Sequence, residues 1–350
     1  MTKQEKISSF DPSGVGLKNG HFIGLPFDEN DADTVLLPVP WDVTVSYADG
    51  TATAGQNILE ASTQLDLYDP DVPEAWKMGI YMRHLDLIWL NRSKELRPLA
   101  EQYIDFLEEG GNLTEDPQMK AILDEINNAC LDLKSWVYQE TKSQLQKGKR
   151  VGIVGGEHSV PLGYLEALAE HHSNFGILQI DAHQDLRDAY EGFTYSHASI
   201  FFNVLKIKQV ERLVQVGIRD FCEAEMDIVH ASNSRVQVWT DQRIREAAFE
   251  GSSFQQTCER IIADLPQQVY ISFDIDGLEP GLCPNTGTPV PGGLTFNEAV
   301  YLLKSVVKSG RQIIGFDLCE VGGLDNEWDG NVGARVLYKL CNLMGASWRG

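Results

Sequence analysis

From residue 150 onward the chain alternates short apolar runs with longer stretches of helical periodicity. The runs fall at 151–154, 175–180, 213–218, 236–239, 269–273 and 312–318, and the helical stretches near 160–172, 198–209, 223–232, 240–250, 254–264, 295–309 and 332–345. Continuous apolar runs of this length suit strands buried on both faces, and a helix between two strands brings the chain back so that they pair in parallel. The pattern therefore predicts right-handed βαβ units and a parallel sheet with helices on both faces. Two earlier runs, 34–39 and 78–87, raise the count to about eight strands. In such a sheet ligands collect at the carboxyl ends of the strands.

Those ends carry unusual residues. The run 175–180 leads into Asp181-Ala182-His183-Gln184-Asp185, and an extended backbone places Asp181, His183 and Asp185 on one side. The run 269–273 leads into Asp274-Ile275-Asp276, and the run 151–154 into Gly155-Gly156-Glu157-His158. Burying several carboxylates and imidazoles together is costly unless a cation compensates them. His158, Asp181, His183, Asp185, Asp274 and Asp276 thus read as the ligands of a two-metal site. Mixed His and Asp ligation without thiolate suits two divalent ions, Mn2+ foremost and Ni2+ as the alternative. Such a pair lowers the pKa of a shared water, so the expected nucleophile is a hydroxide bridging the metals rather than a side chain. No GxSxG elbow competes with that reading.

The rest of the chain sets limits. Hydrophobic content of 43% and charged content of 23% are those of an ordinary globular protein. The net charge of −22 argues against a nucleic-acid surface and favours cationic ligands. Six cysteines without CxxC spacing read as reduced thiols, which suggests a cytoplasmic protein. No signal peptide or membrane span is visible. Residues 1–33 are polar with scattered Gly and Pro and read as an N-terminal arm on the surface, and a helix is expected over about 55–67. Between residues 92 and 147 the spacing predicts two helices, broken at Gly110-Gly111-Asn112 and Glu115-Asp116-Pro117, which would pack as a hairpin or reach a neighbouring subunit.

The segments Gly155-Gly156-Glu157-His158-Ser159, Asp181-Ala182-His183-Gln184-Asp185-Leu186-Arg187, Tyr195-Ser196-His197-Ala198-Ser199, Ser272-Phe273-Asp274-Ile275-Asp276 and Gly287-Thr288-Pro289-Val290-Pro291-Gly292-Gly293 resemble, in order and spacing, the ureohydrolase family of arginases, agmatinases and formimidoylglutamases. The resemblance covers roughly residues 34–345 and leans to the agmatinase-like branch. It implies an arginase-like three-layer α/β/α fold on an eight-stranded parallel sheet, one domain over 34–350 with a helical insertion near 92–147, and a homotrimer or homohexamer. It also implies one metal held by His158, Asp181, Asp185 and Asp274, and another by His183, Asp181, Asp274 and Asp276. Asp185 counts among the catalytic residues, His197 matches a histidine that moves protons in the pocket, and Glu320 matches an acid that pairs with the guanidinium.

Three features depart from the family pattern. Val321-Gly322-Gly323 stands where Asn-Pro is usual, Glu157 replaces the commoner Asp or Asn, and Trp41-Asp42-Val43-Thr44-Val45-Ser46-Tyr47 replaces a plainer loop. Trp41, Thr44 and Tyr47 are therefore candidate substrate-binding residues, although a Trp after a strand is often core, and Arg187 is a further candidate as the basic residue that an acidic formimino substrate would need. The implied reaction is hydrolysis of a small cationic guanidino substrate to urea plus an amine or ammonia. The alternatives are guanidine itself or a small alkylated guanidine or biguanide, a formimidoylglutamase, and a non-catalytic subunit assembled with a related partner subunit.

Overall fold

Eight strands pair in one sheet: β1 (Thr34–Val39), β2 (Ile80–Met82), β3 (Arg150–Gly155), β4 (Phe175–Ile180), β5 (Val210–Ile218), β6 (Val236–Thr240), β7 (Gln268–Asp274) and β8 (Gln312–Cys319). Their spatial order is β2-β1-β3-β8-β7-β4-β5-β6, and every pairing is parallel. The computed structural model describes residues 1–349. The central strands are buried along nearly their whole length, which is why they read as unbroken apolar runs.

The period-two alternation of the strands feeds two cores. Val151 and Ile153 face one of them and Val154 the other. The first core lies beneath α3 (Leu87–Glu108), α4 (Pro117–Gln146), α5 (Leu162–His171) and α6 (Ile200–Val204), with α7 (Glu223–Ala231) at its edge. The second lies beneath α2 (Ala54–Ser62), α8 (Asp241–Phe249), α9 (Phe254–Ala263), α10 (Phe296–Lys308) and α11 (Glu327–Ser347). The result is the expected three-layer α/β/α arrangement. In α10, Leu302, Leu303 and Val306 bury fully against the sheet. Each contributes ~1.5–3 kcal/mol before the cost of ordering the chain.

Local chemistry sets the element boundaries. The Asp116 carboxylate accepts from the backbone N–H groups of Gln118 and Met119, and Pro117 follows as the first helical residue, so α4 starts where the sequence predicts a break. The helices α3 and α4 pack on one another as a hairpin. The strand expected at 78–87 is confined to Ile80–Met82, because Ala75–Met78 forms a 3-10 turn and Asp86 caps α3 through Ile88 N–H and Trp89 N–H. The helix expected to reach residue 67 ends at Ser62.

The segment before β1 also differs from a purely surface arm. A short helix, α1 (Lys3–Ser9), lies on the outside, with Lys3 paired to Asp33 and Lys6 to Asp28. Phe22, Ile23, Leu25 and Phe27, however, are buried in the second core, and Phe27 packs near Trp76. Among the described residues no helix is long and apolar enough to cross a membrane.

The strand order puts β3, β8, β7 and β4 side by side. Their carboxyl ends, at Gly155, Cys319, Asp274 and Ile180, therefore open onto one place.

Candidate metal centre

The turn after β3 fixes the first ligand. A Cβ on Gly156 would lie 1.8 Å from the Trp41 carbonyl oxygen, so only glycine lets the turn press against the loop that follows β1. His158 comes next and is buried. Its Nε2 lies 2.9 Å from the Ser272 hydroxyl, which donates its single proton to Asp317 Oδ2 at 2.8 Å. Ser272 must therefore accept from His158 Nε2–H, so in the neutral imidazole the ligand lone pair is on Nδ1. That Nδ1 has no hydrogen-bond partner and faces Asp181 Oδ2 at 3.0 Å, Asp185 Oδ2 at 3.1 Å and Asp274 Oδ2 at 3.3 Å. Donors ~2.1 Å from a shared octahedral ion lie about 3.0 Å apart. Facing three carboxylate oxygens, Nδ1 must either carry a proton or meet a metal ion, and with the ion the four atoms are a ligand set.

A second group shares Asp181. Its Oδ1 lies 3.6 Å from His183 Nδ1, and Asp276 Oδ2 lies 3.1 Å from the same nitrogen. Asp181 thus offers one oxygen to each histidine, the arrangement expected of a bridging carboxylate. Backbone and side-chain donors hold the acids in place. Asp181 accepts from His183 N–H and Gln179 Nε2, Asp276 from Ala182 N–H, and Asp274 from Asp276 N–H. Asp185 and Glu320 hold left-handed backbone conformations (φ 54° and 62°), strain of the kind that packing supports at functional sites.

The electrostatics show the same need for positive charge. Burial pushes the Asp185 carboxyl up to about 7, with Asp181 beside it adding to the effect. Burial, with Asp276 and Asp181 nearby, drives Asp274 well above the usual carboxylate range. Burial opposes charge on His158, but Asp181, Asp185 and Asp274 outweigh it and raise its pKa well above the usual value. A bound divalent ion would favour the ionised acids and the neutral imidazoles.

A cavity of about 450 Å³ opens beside this cluster, lined among others by His183, Asp185, Arg187, His197, Ser46 and Tyr47. His197 is half-buried, with its Nε2 3.5 Å from Ser46 Oγ. Burial, with His183 opposite, lowers its pKa to about 3, so the imidazole is neutral at working pH. Glu320 is buried. Its Oε1 accepts from His158 N–H at 2.9 Å, whereas Oε2 has no partner. Burial and the nearby Glu157 push its carboxyl upward, a demand that a bound cation would meet.

The four candidate substrate residues divide. Tyr47 and Arg187 line the cavity, and the Arg187 guanidinium stacks 4.7 Å over the Tyr190 ring. Trp41 does not line it, being fully buried edge-on against Trp89, so the apolar environment of α3 claims it as core. Thr44 is buried as well and links other residues. Its N–H and hydroxyl donate to Glu157, and its oxygen accepts from His197 N–H. Glu157 therefore holds the loop after β1 rather than the His158 ring, and burial pushes its carboxyl up to about 7. Sequence reasoning missed Ser272, Asp317 and Gln179. The signal for Asp317 was a lone acid inside the apolar run of β8.

The model of the Arginase family matches residues 32–341. The chain belongs to the arginase family. It is a ureohydrolase, a hydrolase acting on carbon–nitrogen bonds of linear guanidines and amidines. N(1)-aminopropylagmatine ureohydrolase from Synechocystis sp. is 30% identical over 326 residues, which cover 91% of each chain. Agmatinase from Proteus mirabilis is 27% identical over 321 residues, covering 91% of this chain and 89% of its own. The fold is shared with proclavaminate amidino hydrolase from Streptomyces clavuligerus, at a TM-score of 0.71 and 24% identity over 96% of this chain and 100% of that one.

Proposed function

We propose that this arginase-family enzyme hydrolyses a small cationic guanidine to urea and an amine or ammonia, using a pair of divalent ions. The observation that carries the reading is Asp181, which turns one oxygen to His158 and the other to His183 beside the cavity. His158, Asp181, Asp185 and Asp274 would hold one ion, and His183, Asp181, Asp274 and Asp276 the other. Oxygen- and imidazole-rich ligation without thiolate favours Mn2+, with Ni2+ as the alternative. When bound, such a pair supplies a water activated near neutral pH.

The chain's own residues supply the remainder. Glu320 is buried behind the residues that line the cavity, and its unpartnered Oε2 would be a charge-complementary acceptor for a guanidinium N–H that reaches that deep. His197 lines the cavity, where its ring is placed to hand a proton to the departing nitrogen. Cationic guanidines are also what the names of the agmatinase and aminopropylagmatine ureohydrolase relatives suggest.

Arg187 supports a second reading of the substrate. Its guanidinium takes up part of the cavity wall between Tyr190 and Glu225, which leaves less room for a long distal chain and favours guanidine itself or a short alkylguanidine over agmatine. The test is urea release by protein reconstituted separately with Mn2+ and Ni2+, over agmatine, arginine, guanidinobutyrate, guanidine and alkylguanidines. Urea from at least one compound is expected. Metal-loaded protein that yields none from any of them contradicts the proposal.

A further inference from the structure

Two of the loops that line the cavity, beside the segments that carry Asp220, Glu225 and Thr288–Val290, rest on the helical pair α3 and α4. The first loop, 41–50, contributes Ser46 and Tyr47 to the wall. Arg97 of α3 is buried, and its Nη1 donates to the carbonyls of Val43 at 3.1 Å and Val45 at 2.7 Å. One turn earlier, Ser93 donates to Asp42 Oδ1 at 2.9 Å and accepts from Asp42 N–H at 3.2 Å. The other Asp42 oxygen closes the loop by accepting from Gly50 N–H at 2.8 Å and Ala52 N–H at 3.1 Å.

The second loop, 187–198, contributes Arg187, Tyr190, His197 and Ala198. Asn127 of α4 holds it by its backbone alone. Its Nδ2 donates to the Gly192 carbonyl at 3.1 Å, and its Oδ1 accepts from Thr194 N–H at 2.8 Å. Gly192 sits so close to the helices that a Cβ would lie 3.0 Å from the Tyr103 hydroxyl, and the Phe193 ring packs 5.4 Å from the Tyr103 ring.

We propose that Arg97 and Asn127 are positioning residues that fix the spacing of these two loops and so decide which guanidines the cavity admits. Neither residue lines the cavity. Each acts through backbone groups of a loop that does. The helical pair is thereby a specificity element that can reset the pocket without altering a metal ligand. The proposal rests on the guanidine-hydrolase reading for its substrate, but not for its structural part.

The experiment compares wild type with Asn127→Ala, Arg97→Lys and Arg97→Ala. Hydrogen–deuterium exchange of segments 42–50 and 189–197 is read alongside metal content and kcat and KM for guanidine, methylguanidine and agmatine. Asn127→Ala should speed exchange in 189–197, and Arg97→Ala in 42–50, with metal content unchanged. The ratio of kcat/KM between the smallest and largest substrates should shift on the order of tenfold, mainly through KM. Arg97→Lys, which can still donate to a carbonyl, should recover part of that ratio. Unchanged exchange, or a ratio within about twofold of wild type with equal loss on every substrate, overturns the proposal. If Arg97→Ala does not fold, Asn127→Ala decides. If wild type hydrolyses no guanidine, the functional reading fails while the exchange data still decide the positioning.

Discussion

Ser272→Ala should weaken metal binding although Ser272 touches no metal. The substitution deletes the hydroxyl that accepts from His158 Nε2–H at 2.9 Å and relays the bond to Asp317 at 2.8 Å. Asp317 Oδ1 lies 3.6 Å from that nitrogen, too far to take over. A buried N–H left without a partner costs ~1–3 kcal/mol. The imidazole also loses the bond that fixes its tautomer and aims Nδ1 at Asp181, Asp185 and Asp274. At 1.4 kcal/mol per tenfold, this corresponds to a Kd for Mn2+ raised about 10- to 100-fold. Competition with a chromophoric chelator measures it directly, and Asp317→Asn, which keeps the hydroxyl, should lie between Ser272→Ala and wild type. A Kd for Ser272→Ala within about twofold of wild type would refute the reasoning, because such a change is worth well under 1 kcal/mol.

Three other outcomes follow from the structure. Glu320→Gln should leave metal content unchanged and lower kcat/KM for the preferred guanidine ~10- to 100-fold, since a charge-assisted hydrogen bond is worth ~1.5–3 kcal/mol; unchanged steady-state kinetics would remove Glu320 from guanidinium binding. Gly156→Ala would force a Cβ to within 1.8 Å of a backbone oxygen, so urea denaturation should show a loss of at least ~1–3 kcal/mol, and a stability equal to wild type would contradict the close approach. At Asp71, burial opposes ionisation, but hydrogen bonds from Lys304 and Lys339 outweigh it and hold the carboxyl below its ordinary value of 3.8. Its stabilisation is therefore full above pH ~4 and lost as pH falls through the lowered pKa. Asp71→Asn should destabilise the protein by no more than ~1 kcal/mol at pH 7, with the difference fading below pH ~4; a difference that grew in acid would reverse the assignment.

The places of the candidate ligands were legible because these residues sit at the ends of strands, and strands buried on both faces announce themselves as apolar runs. His158, Asp181, Asp274 and Asp276 could be placed that way from adjacent letters. The strand order was not readable, because the pairing of β3 with β8 joins residues far apart in the chain through contacts that leave no local pattern. Ser272 and Asp317 escaped for a related reason: each lies inside a strand, and only the register of β7 on β8 brings them opposite each other. Trp41 illustrates the reverse error. It follows a strand like a pocket residue, but α3 packs Trp89 against it and takes it into the core. The apolar letters from Phe22 to Phe27 signalled burial that the polar composition around them obscured.

The central claim is that two ions sit between His158 and His183 and share Asp181. Anomalous diffraction at the manganese edge, from crystals of Mn2+-reconstituted protein, tests it most directly. The account predicts two peaks at the carboxyl ends of β3, β4 and β7, one beside His158 Nδ1 and one beside His183 Nδ1, with Asp181 contacting both. A single peak, or two peaks without Asp181 between them, would contradict it.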